Sequence, residues 1–394
     1  MATFTPVNEP FLKHLAVQKT PYIMLTAETD DFDDVTLQDW RDEGFVVTYV
    51  PLGNGGAEYT RRLHAVADQV VGISEHYAIV AFGDAAAACL EAHIKAVPRL
   101  CALIAYYPSS IPDPPRTTYP MQMSVLIHLV GNEIGVNRTS EVLGIQGKRK
   151  TVRKRVEPGM GLGGEMKLSV PSYKYEGVES GFAEHDLDEY NPVATGLAWS
   201  RSLDVVRRAF GMKVDIERIR DEHLDHTTKA NAQKAVGMMD RHAQLFHTPT
   251  LTGAIGAEDL ETFYAEYFHP SPAMLNARLL SRTVGVDRVV DEMNLSFKHK
   301  QEIDWLLPGI PPTNRQIEIT LVSIVCIKGG KLVSEHVYWD QASVLVQAGL
   351  LDPKNVPQKL KKEGIERLPV IGADGARAVL KHDARIMNGL IPDW

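Results

Sequence analysis

The spacing of apolar residues changes near residue 212, and this change constrains the fold more than any other feature of the sequence. Before it, apolar runs of five to seven residues alternate with helix-like segments. After it, helical segments precede strand patterns longer than ten residues, and Gly329-Gly330 joins the last two of these. The first pattern predicts an α/β domain with a parallel sheet, whereas the second predicts an α+β domain with an antiparallel sheet.

We therefore expect three parts in a chain of 394 residues: a parallel-sheet domain over 1–212, a second domain over 213–353, and a C-terminal extension over 354–394. The strands of the first domain are predicted at 22–26, 45–50, 77–82, 100–106 and 124–129. Because these runs are mostly apolar and do not alternate with polar residues, both faces of their sheet are expected to be covered. In the second domain the patterns predict helices over 215–233 and 259–268 and strands over 283–300, 315–328 and 331–341.

Composition argues against several classes of protein. The hydrophobic fraction is 44% and the charged fraction is 23%, which are ordinary values for a soluble globular chain. A net charge of −8 and a pI near 6.0 argue against a dedicated nucleic-acid binder. No uncharged run reaches the ~18–20 residues that cross a membrane, and Cys89, Cys101 and Cys326 lack zinc-site spacing. We expect a cytoplasmic protein that binds neither nucleic acid nor membrane.

Residues 146–164 interrupt the alternation of strands and helices. Six Lys and Arg residues crowd between Lys148 and Arg155, and the sequence GMGLGGE follows them. The glycines do not follow a strand and open a helix as a phosphate-binding loop does. Aromatic residues that would form a nucleic-acid platform are missing. We interpret this segment as a solvated surface insertion, with an anion-binding loop as the alternative.

A turn in the first domain has the layout of a nucleophile elbow, because the strand-like run 77–82 leads through Gly83-Asp84 into an alanine-rich helix. A second feature is Ser180-Gly181-Phe182, which precedes a helix carrying Arg201. Over about 20–210 the sequence resembles the dienelactone hydrolase branch of the α/β-hydrolases. The resemblance implies an α/β-hydrolase-like fold.

The same resemblance places Gly83 where the nucleophile should be, and Glu179-Ser180-Gly181-Phe182 where a His-Gly-Phe would carry the base. A triad without a nucleophile and a base cannot form an acyl-enzyme, so we expect an inactive triad. Glu133 falls at the position of the acid. Asp84 and His185 remain open as an alternative nucleophile and an alternative base.

Polar and apolar residues share single faces of two strands in the second domain. Period-two geometry places one set on one face of the last long strand: Leu332, Ser334, His336, Tyr338 and Asp340. An earlier strand shows the same mixture: Asp291, Met293, Leu295, Phe297 and His299. Ionisable groups among apolar ones predict either an acid/base pocket or a structural role, in which His336 and Asp340 pair with each other at the surface or in the core.

The motif in this region has a specific spacing: Gly330, Lys331, Glu335, His336, Asp340, then Gln347 and Gly349. Together with residues 279–319 it resembles the SnoaL-like family of the NTF2-like superfamily, over about 140 residues. The resemblance implies a cone-shaped domain in which helices wrap a curved antiparallel sheet around a pocket. It departs from minimal cyclases in the long segment 305–313.

The SnoaL-like resemblance also implies site residues. Asp340 would be the general acid/base, assisted by His336 and by His299 on the facing strand. The remaining pocket residues would bind substrate: Asp291, Met293, Phe297, Asp304, Trp305, Tyr338 and Trp339. Burial in an apolar cavity raises the pKa of a carboxylate, so that it can exchange protons near neutral pH. No organic cofactor or metal is required for such chemistry.

These inferences predict a cofactor-independent acid/base enzyme of secondary metabolism. It would be a homodimeric cyclase, isomerase or epoxide-opening enzyme acting on a bulky apolar intermediate such as a polyketide or terpenoid. One alternative is a non-catalytic NTF2-like binding or assembly protein. The other is an ester or lactone hydrolase that uses the N-terminal domain.

Overall fold

The computed structural model describes residues 20–72, 75–142, 145–155, 164–165, 168, 170–268, 277–381 and 387–391. The chain divides into two compact units, Met1–Lys213 and Val214–Trp394. Among the described residues, no helix is both long enough and apolar enough to cross a membrane.

The first unit contains a seven-stranded sheet. Its strands are β1 (Tyr22–Thr26), β2 (Val46–Tyr49), β3 (Tyr77–Phe82), β4 (Leu100–Tyr106), β6 (Ser124–Val130), β9 (Gly164–Glu165) and β10 (Ser172–Tyr175). They lie in the order β2-β1-β3-β4-β6-β10-β9, and all neighbours are parallel except β9 and β10. The five apolar runs form strands within one residue of the predicted bounds, and β1, β3 and β4 are buried at every position.

The described residues of this unit form four α-helices: α1 (Asp34–Asp42), α2 (Gly56–Val70), α3 (Gly83–Ala92) and α4 (Pro192–Phe210). The sequence sets the ends of α4 clearly. Asn191 caps its first turn by accepting from the N–H groups of Val193 and Ala194, and Gly211 ends it in the left-handed conformation.

The described part of the segment 146–164, which was interpreted as a surface insertion, is mainly a β-strand. Strand β8 (Ile145–Arg155) pairs antiparallel with β7 (Glu133–Val142), and β5 (Ser110–Pro112) adds a third strand. Where the burial of β8 is described, Arg153 is exposed and Lys154 is half-buried. Glycines 159, 161 and 163 lie outside the described residues.

The second unit contains a six-stranded sheet in the order β12-β11-β16-β15-β14-β13. Its strands are β11 (Met239–His247), β12 (Thr252–Ile255), β13 (Ala277–Val284), β14 (Arg288–Lys298), β15 (Gln316–Lys328) and β16 (Lys331–Trp339). All pairs are antiparallel except β11 with β16, which is parallel. The glycine hairpin is confirmed, since Gly329 and Gly330 both have positive φ and join β15 to β16.

The helices of this unit are α5 (Ile216–Thr228), α6 (Ala232–Gly237), α7 (Ala257–Thr262), α8 (Gln341–Ala348), α9 (Gln358–Lys362) and α10 (Asp374–Lys381), with a π-helical turn at Phe263–Phe268. The predicted helix 215–233 is two helices, because Ala230 has a positive φ and Asn231 caps α6. The predicted strand 283–300 is likewise interrupted, at residues 285–287. Residues after 353 pack on this unit, where Arg377 pairs with Glu318 at 2.8 Å.

A bulge in β16 decides which side chains face the core. Cys326 pairs with Ser334 and the next residue, Ile327, pairs with Leu332, so Val333 is the extra residue. Beyond the bulge, the buried residues are Glu335, Val337 and Trp339, whereas Tyr338 is 41% exposed. The face predicted to line the pocket through His336, Tyr338 and Asp340 is therefore the opposite face of the strand.

Candidate functional site

A cavity lies inside the second unit, between the inner face of the sheet, helix α5 and the π-helical turn. Its polar lining consists of Arg220, His223, Thr227, His247, Tyr264, Ser323 and Glu335. Its apolar lining includes Leu245, Phe268, Met293, Trp305 and Val337. The site thus combines several titratable groups with an otherwise apolar wall, which is typical of ligand pockets.

The cavity is narrow. Its free space is about 420 Å³ when the opening toward solvent is counted, but only about 30 Å³ of it can hold the centre of a water molecule. That space suits one or two water-sized groups, since a single water needs roughly 10–15 Å³ by the same measure. A bulky polycyclic molecule does not fit unless the lining side chains move.

Arg220 organises the charges at the base of the cavity. It is 1% exposed, its Nε donates to Asp291 Oδ2 at 3.0 Å, and its Nη2 donates to Glu335 Oε1 at 2.8 Å. Nη2 also donates to Ser323 Oγ at 2.9 Å, and Ser323 donates in turn to Glu335 Oε1 at 2.7 Å. Arg282 closes the network from behind, donating to Asp291 Oδ1 at 2.6 Å. Buried charges require such pairing, because an unpaired buried ion is very costly.

Glu335 is held in its ionised form by this network. Burial would raise the pKa of Glu335, but the Arg220 guanidinium, His223 and the hydrogen bonds from Ser323 and Arg220 outweigh burial and lower it to about 2. Among the described residues, none donates to its second oxygen, Oε2. Glu335 therefore supplies a fixed negative charge to the cavity at neutral pH.

His247 is the opposite case, a histidine kept neutral. It is 2% exposed among aromatic rings, with Trp305 at 5.2 Å and Phe268 at 5.9 Å between ring centroids. Burial lowers the pKa of His247 to about 4, and the charge of Glu335 only partly opposes this. At neutral pH the imidazole can therefore accept a proton from a substrate.

The hydrogen bonds of His247 indicate which ring nitrogen can accept the proton. Nδ1 lies 3.2 Å from Thr252 Oγ1, and this hydroxyl donates to the Trp305 carbonyl at 3.1 Å. With that hydrogen on the Trp305 carbonyl, Thr252 accepts from His247, and the tautomer that fits this arrangement carries its proton on Nδ1. Nε2 then carries the lone pair, and within the described part of the chain it makes no hydrogen bond.

Two further groups can hydrogen-bond a substrate oxygen. Nδ1 of His223 lies 3.4 Å from Arg220 Nη1, and Arg220 can only donate, so Nε2 of His223 carries a hydrogen whether the ring is neutral or protonated. Burial raises the pKa of Tyr264, which keeps its hydroxyl protonated. Tyr264 and His223 are neighbours, with ring centroids 6.3 Å apart.

The structure does not bring the three predicted catalytic residues together in the cavity. Asp340 is exposed and caps helix α8, where it accepts from the N–H of Ser343 at 3.2 Å. His336 lies on the outer face of β16 beside Phe246, at 5.7 Å between centroids. Nδ1 of His299 accepts from the Thr313 N–H at 3.2 Å and thus holds the ends of the loop 299–315 together. These positions correct the expected geometry of the pocket.

The predicted substrate-binding residues are divided among several places. Met293 and Trp305 line the cavity. Asp291 lies behind it in the Arg220 network, Phe297 is in the core, and Trp339 packs against Trp305 at 5.4 Å. The other two lie away from the lining: Asp304, which is half-buried, and Tyr338, which is exposed.

Sequence reasoning missed Arg220, His223, Tyr264 and His247. His247 was missed because strand β11 was not predicted, although Ala243, Leu245 and His247 alternate with exposed or half-buried residues as in a half-buried strand. Arg220 and His223 lie three residues apart on α5 and so share a helix face. That spacing predicts that the two side chains lie together, but it does not predict their burial, because a charged residue on a helix is usually solvated.

Glycine occupies the nucleophile position of the hydrolase-like turn in the first unit. Gly83 has a φ of +53°, as a strand-to-helix elbow requires, and a Cβ added there would overlap the Glu28 carboxylate. Glu28 accepts a hydrogen bond from the Asp84 N–H, where an elbow would hold an oxyanion. Asp84 and Glu133 are both exposed.

No protein-family model matches this chain, and no curated protein matches it. Solved structures with similarity include a protein named a SnoaL-like polyketide cyclase from Jannaschia sp. CCS1, at 17% identity and a TM-score of 0.29, covering 34% of this chain and 92% of that one. Another bears the same name and comes from Shewanella putrefaciens CN-32, at 12% identity and a TM-score of 0.28, covering 36% and 90%.

A third is the epoxide hydrolase/cyclase-like enzyme SalBIII, at 13% identity and a TM-score of 0.25, covering 32% of this chain and 89% of that one. At such identities and scores the likeness assigns no chemistry, and the function has to be argued from the side chains of the cavity.

Proposed function

We propose that the second unit is an acid/base enzyme of the cyclase or isomerase type, with His247 as the general base. One observation carries the proposal. A buried, neutral histidine with an unbonded Nε2 shares a cavity with a carboxylate that Arg220 keeps ionised. Perturbed titratable groups in a cleft are candidates for catalysis, because burial and charge pairing are the means by which active sites tune a pKa.

In the proposed reaction Nε2 removes a proton from a carbon next to a carbonyl group. The carbonyl oxygen gains negative charge, and the hydroxyl of Tyr264 or Nε2–H of His223 donates a hydrogen bond to it. The imidazolium of His247 then returns the proton to another carbon, which completes an isomerisation. If the enolate carbon instead attacks a second carbonyl, a ring closes and the imidazolium protonates the new alkoxide.

Glu335 and Arg220 support this proton transfer without taking part in it. The negative charge of Glu335 favours the imidazolium form of His247, and Arg220 prevents Glu335 from competing for the proton. Preorganised charges of this kind stabilise the transition state without reorganisation during the reaction.

The narrowness of the cavity sets the substrate class. A small or slender, largely apolar molecule with a carbonyl or epoxide oxygen requires less movement of the lining side chains than a bulky polycycle does. Phe268, Met293 and Trp305 provide the apolar contacts, and the proton donors fix the orientation of the oxygen.

The test is deuterium exchange at the carbons next to the carbonyl of cyclopentanone and of acetone, followed by NMR in D₂O. His247→Gln should slow the exchange above background by roughly 10²–10⁴-fold, the usual contribution of a general base. The wild-type rate should fall as the pH drops through about 4, because protonated His247 cannot accept a proton.

The matched control is His336→Gln, which changes a histidine on the outer face of the same sheet and should leave the exchange rate unchanged. Equal loss in both variants would indicate that the sheet, not His247, had been damaged. Unchanged exchange in His247→Gln, with the fold verified by circular dichroism, would contradict the assignment and favour a non-catalytic binding module.

A further inference from the structure

A second cluster of titratable groups lies in the first unit, in a groove of about 340 Å³. The groove is lined by Asp31, Phe32, Asp33, Val35, His185 and Asp186, and also by Asp34. It is open to solvent and is built from residues 31–35, at the start of α1, and from the loop that carries His185. None of these residues belongs to the cavity of the second unit.

Asp33 holds His185 in a fixed orientation. Its Oδ2 accepts from the backbone N–H of His185 at 2.9 Å, lies 2.8 Å from His185 Nδ1, and accepts from Thr36 Oγ1 at 2.6 Å. Asp33 is 3% exposed and its other oxygen caps α1 by accepting from the Val35 N–H. Burial would raise the pKa of Asp33, but the hydrogen bonds from His185 and Thr36 lower it well below its usual range.

The ionised state of Asp33 fixes the tautomer of His185. An ionised carboxylate only accepts hydrogen bonds, so Nδ1 of His185 must donate. Nε2 of the neutral ring then carries a lone pair, and within the described part of the chain it forms no hydrogen bond. The ring is partly exposed in the groove and packs against Tyr190, with centroids 4.5 Å apart. A base oriented by a carboxylate is the arrangement that general-base catalysis requires.

The surroundings of this pair restrict what it can act on. Asp31, Asp34 and Asp186 are exposed along the groove, and its apolar lining consists of buried Phe32 and exposed Val35. The neighbouring Glu184 hydrogen-bonds to Tyr107; burial raises its pKa to about 7. A groove lined by carboxylates attracts a cationic ligand and repels an anionic one.

We propose that the Asp33–His185 pair is a second catalytic site, at which His185 activates water for hydrolysis of small carboxylic esters, preferably those that carry a positive charge. His185 is the catalytic residue, and Asp33 is a positioning residue that acts through it. The site is independent of the cavity around His247, and it needs no nucleophile at Gly83.

The reaction balances with water as the only co-substrate. His185 Nε2 takes one proton from water while the water oxygen bonds to the ester carbonyl carbon. The tetrahedral intermediate then expels the alcohol oxygen, which takes the proton back from the imidazolium as the carbon–oxygen bond breaks. The products are a carboxylic acid and an alcohol, and His185 returns to its neutral form.

The experiment measures release of 4-nitrophenol from three esters by the full-length protein: the 4-nitrophenyl esters of betaine, acetate and succinate, which are cationic, neutral and anionic. Each rate is divided by the rate of hydrolysis without protein. We expect this ratio to decrease in the order betaine, acetate, succinate. His185→Gln should lower the betaine ratio by about 100-fold, at the lower end of general-base contributions.

The matched control is His76→Gln, which changes an exposed histidine of the same unit and should leave the ratio unchanged. The Asp33→Asn variant tests positioning. It should lower the rate and allow the Nε2–H tautomer of His185 in long-range ¹H–¹⁵N spectra, because an amide, unlike a carboxylate, can donate to Nδ1. Long-range ¹H–¹⁵N spectra of the wild-type protein should show the Nδ1–H tautomer of His185, which tests the arrangement without any variant.

Three results would overturn the proposal. Equal rates in His185→Gln and wild type would mean that the pair only clamps the loop to α1. Detection of an acyl-enzyme by mass spectrometry would assign the chemistry to a nucleophile. An Nε2–H tautomer would leave no base facing the groove. Because none of these measurements involves His247, failure here leaves the proposed function of the second unit intact.

Discussion

Burial affects histidine and glutamate differently in the second unit, because their charged partners differ. Glu335 keeps its charge since Arg220 lies 2.8 Å away, whereas His247 has aromatic neighbours and loses its charge. The contrast gives one cavity a permanent negative charge and a neutral base. Neither residue would have this property at the protein surface, where water screens the charges.

The lowered pKa of His247 predicts that acid destabilises the fold. In the unfolded chain a histidine titrates near 6.5, and in the folded protein His247 titrates at about 4. The unfolded state therefore binds the proton more tightly, so stability is full above pH 6.5 and falls as the pH drops from 6.5 to 4. The difference corresponds to roughly 3 kcal/mol, at 1.36 kcal/mol per pKa unit.

Urea denaturation at several pH values measures this effect. His247→Phe should retain the aromatic packing and flatten the fall in the free energy of unfolding between pH 6.5 and 4. Below pH 4 the two proteins should depend on pH alike. A fall of the same size in both proteins would show that other groups cause it, among them His128, whose pKa is lowered to about 3 by burial and by Arg201.

The ends of two secondary-structure elements explain why Asp340, the predicted catalytic aspartate, lies outside the cavity. Strand β16 ends at Trp339, and Asp340 is the first residue of the turn into α8. Its carboxylate accepts from the Ser343 N–H and from the Ser343 hydroxyl, as a helix cap does. Local hydrogen bonds thus account for an aspartate at this position without any role in a reaction.

Asp340→Ala should therefore lower the free energy of unfolding by about 1 kcal/mol, the usual cost of losing a cap. Asp340→Asn should retain most of that stability, because asparagine also caps helices. Neither change should alter deuterium exchange into cyclopentanone. Loss of exchange in Asp340→Asn with unchanged stability would restore the sequence-based assignment of this residue.

At the scale of the whole molecule, a short connection links the two units. Helix α4 ends at Gly211 in the left-handed conformation, and Asp215 caps α5. Only Met212, Lys213 and Val214 lie between these two capping residues, and both Lys213 and Val214 are exposed. Exposed segments between compact units are preferred sites of proteolysis.

Limited trypsin digestion should therefore release a fragment that begins at Val214, which mass spectrometry identifies. Lys213→Gln should remove this fragment while leaving the activity of both sites unchanged. If the peptide bond after Lys213 stays intact in the wild-type protein while trypsin cuts at other sites, this connection is protected.

The sequence determined the local features of this protein. Runs of apolar residues predicted β1, β3 and β4. These strands are buried on both faces, so side chains on both faces are apolar and no alternation with polar residues is needed. Gly329-Gly330 gave a hairpin because two consecutive positive φ angles favour glycine. The cap at Asn191 and the stop at Gly211 follow from equally local hydrogen bonding and backbone freedom.

The tertiary structure decided the site. One extra residue at Val333 shifts the alternation of β16 and turns Glu335, instead of His336, toward the core. Asp291 and Glu335 lie 44 positions apart on β14 and β16, and Arg220 joins them from α5, more than 70 residues before Asp291 in the chain. Periodicity within one segment contains no information about such pairing. Only the packing of helix against sheet determines which charges are buried together and which histidine stays neutral.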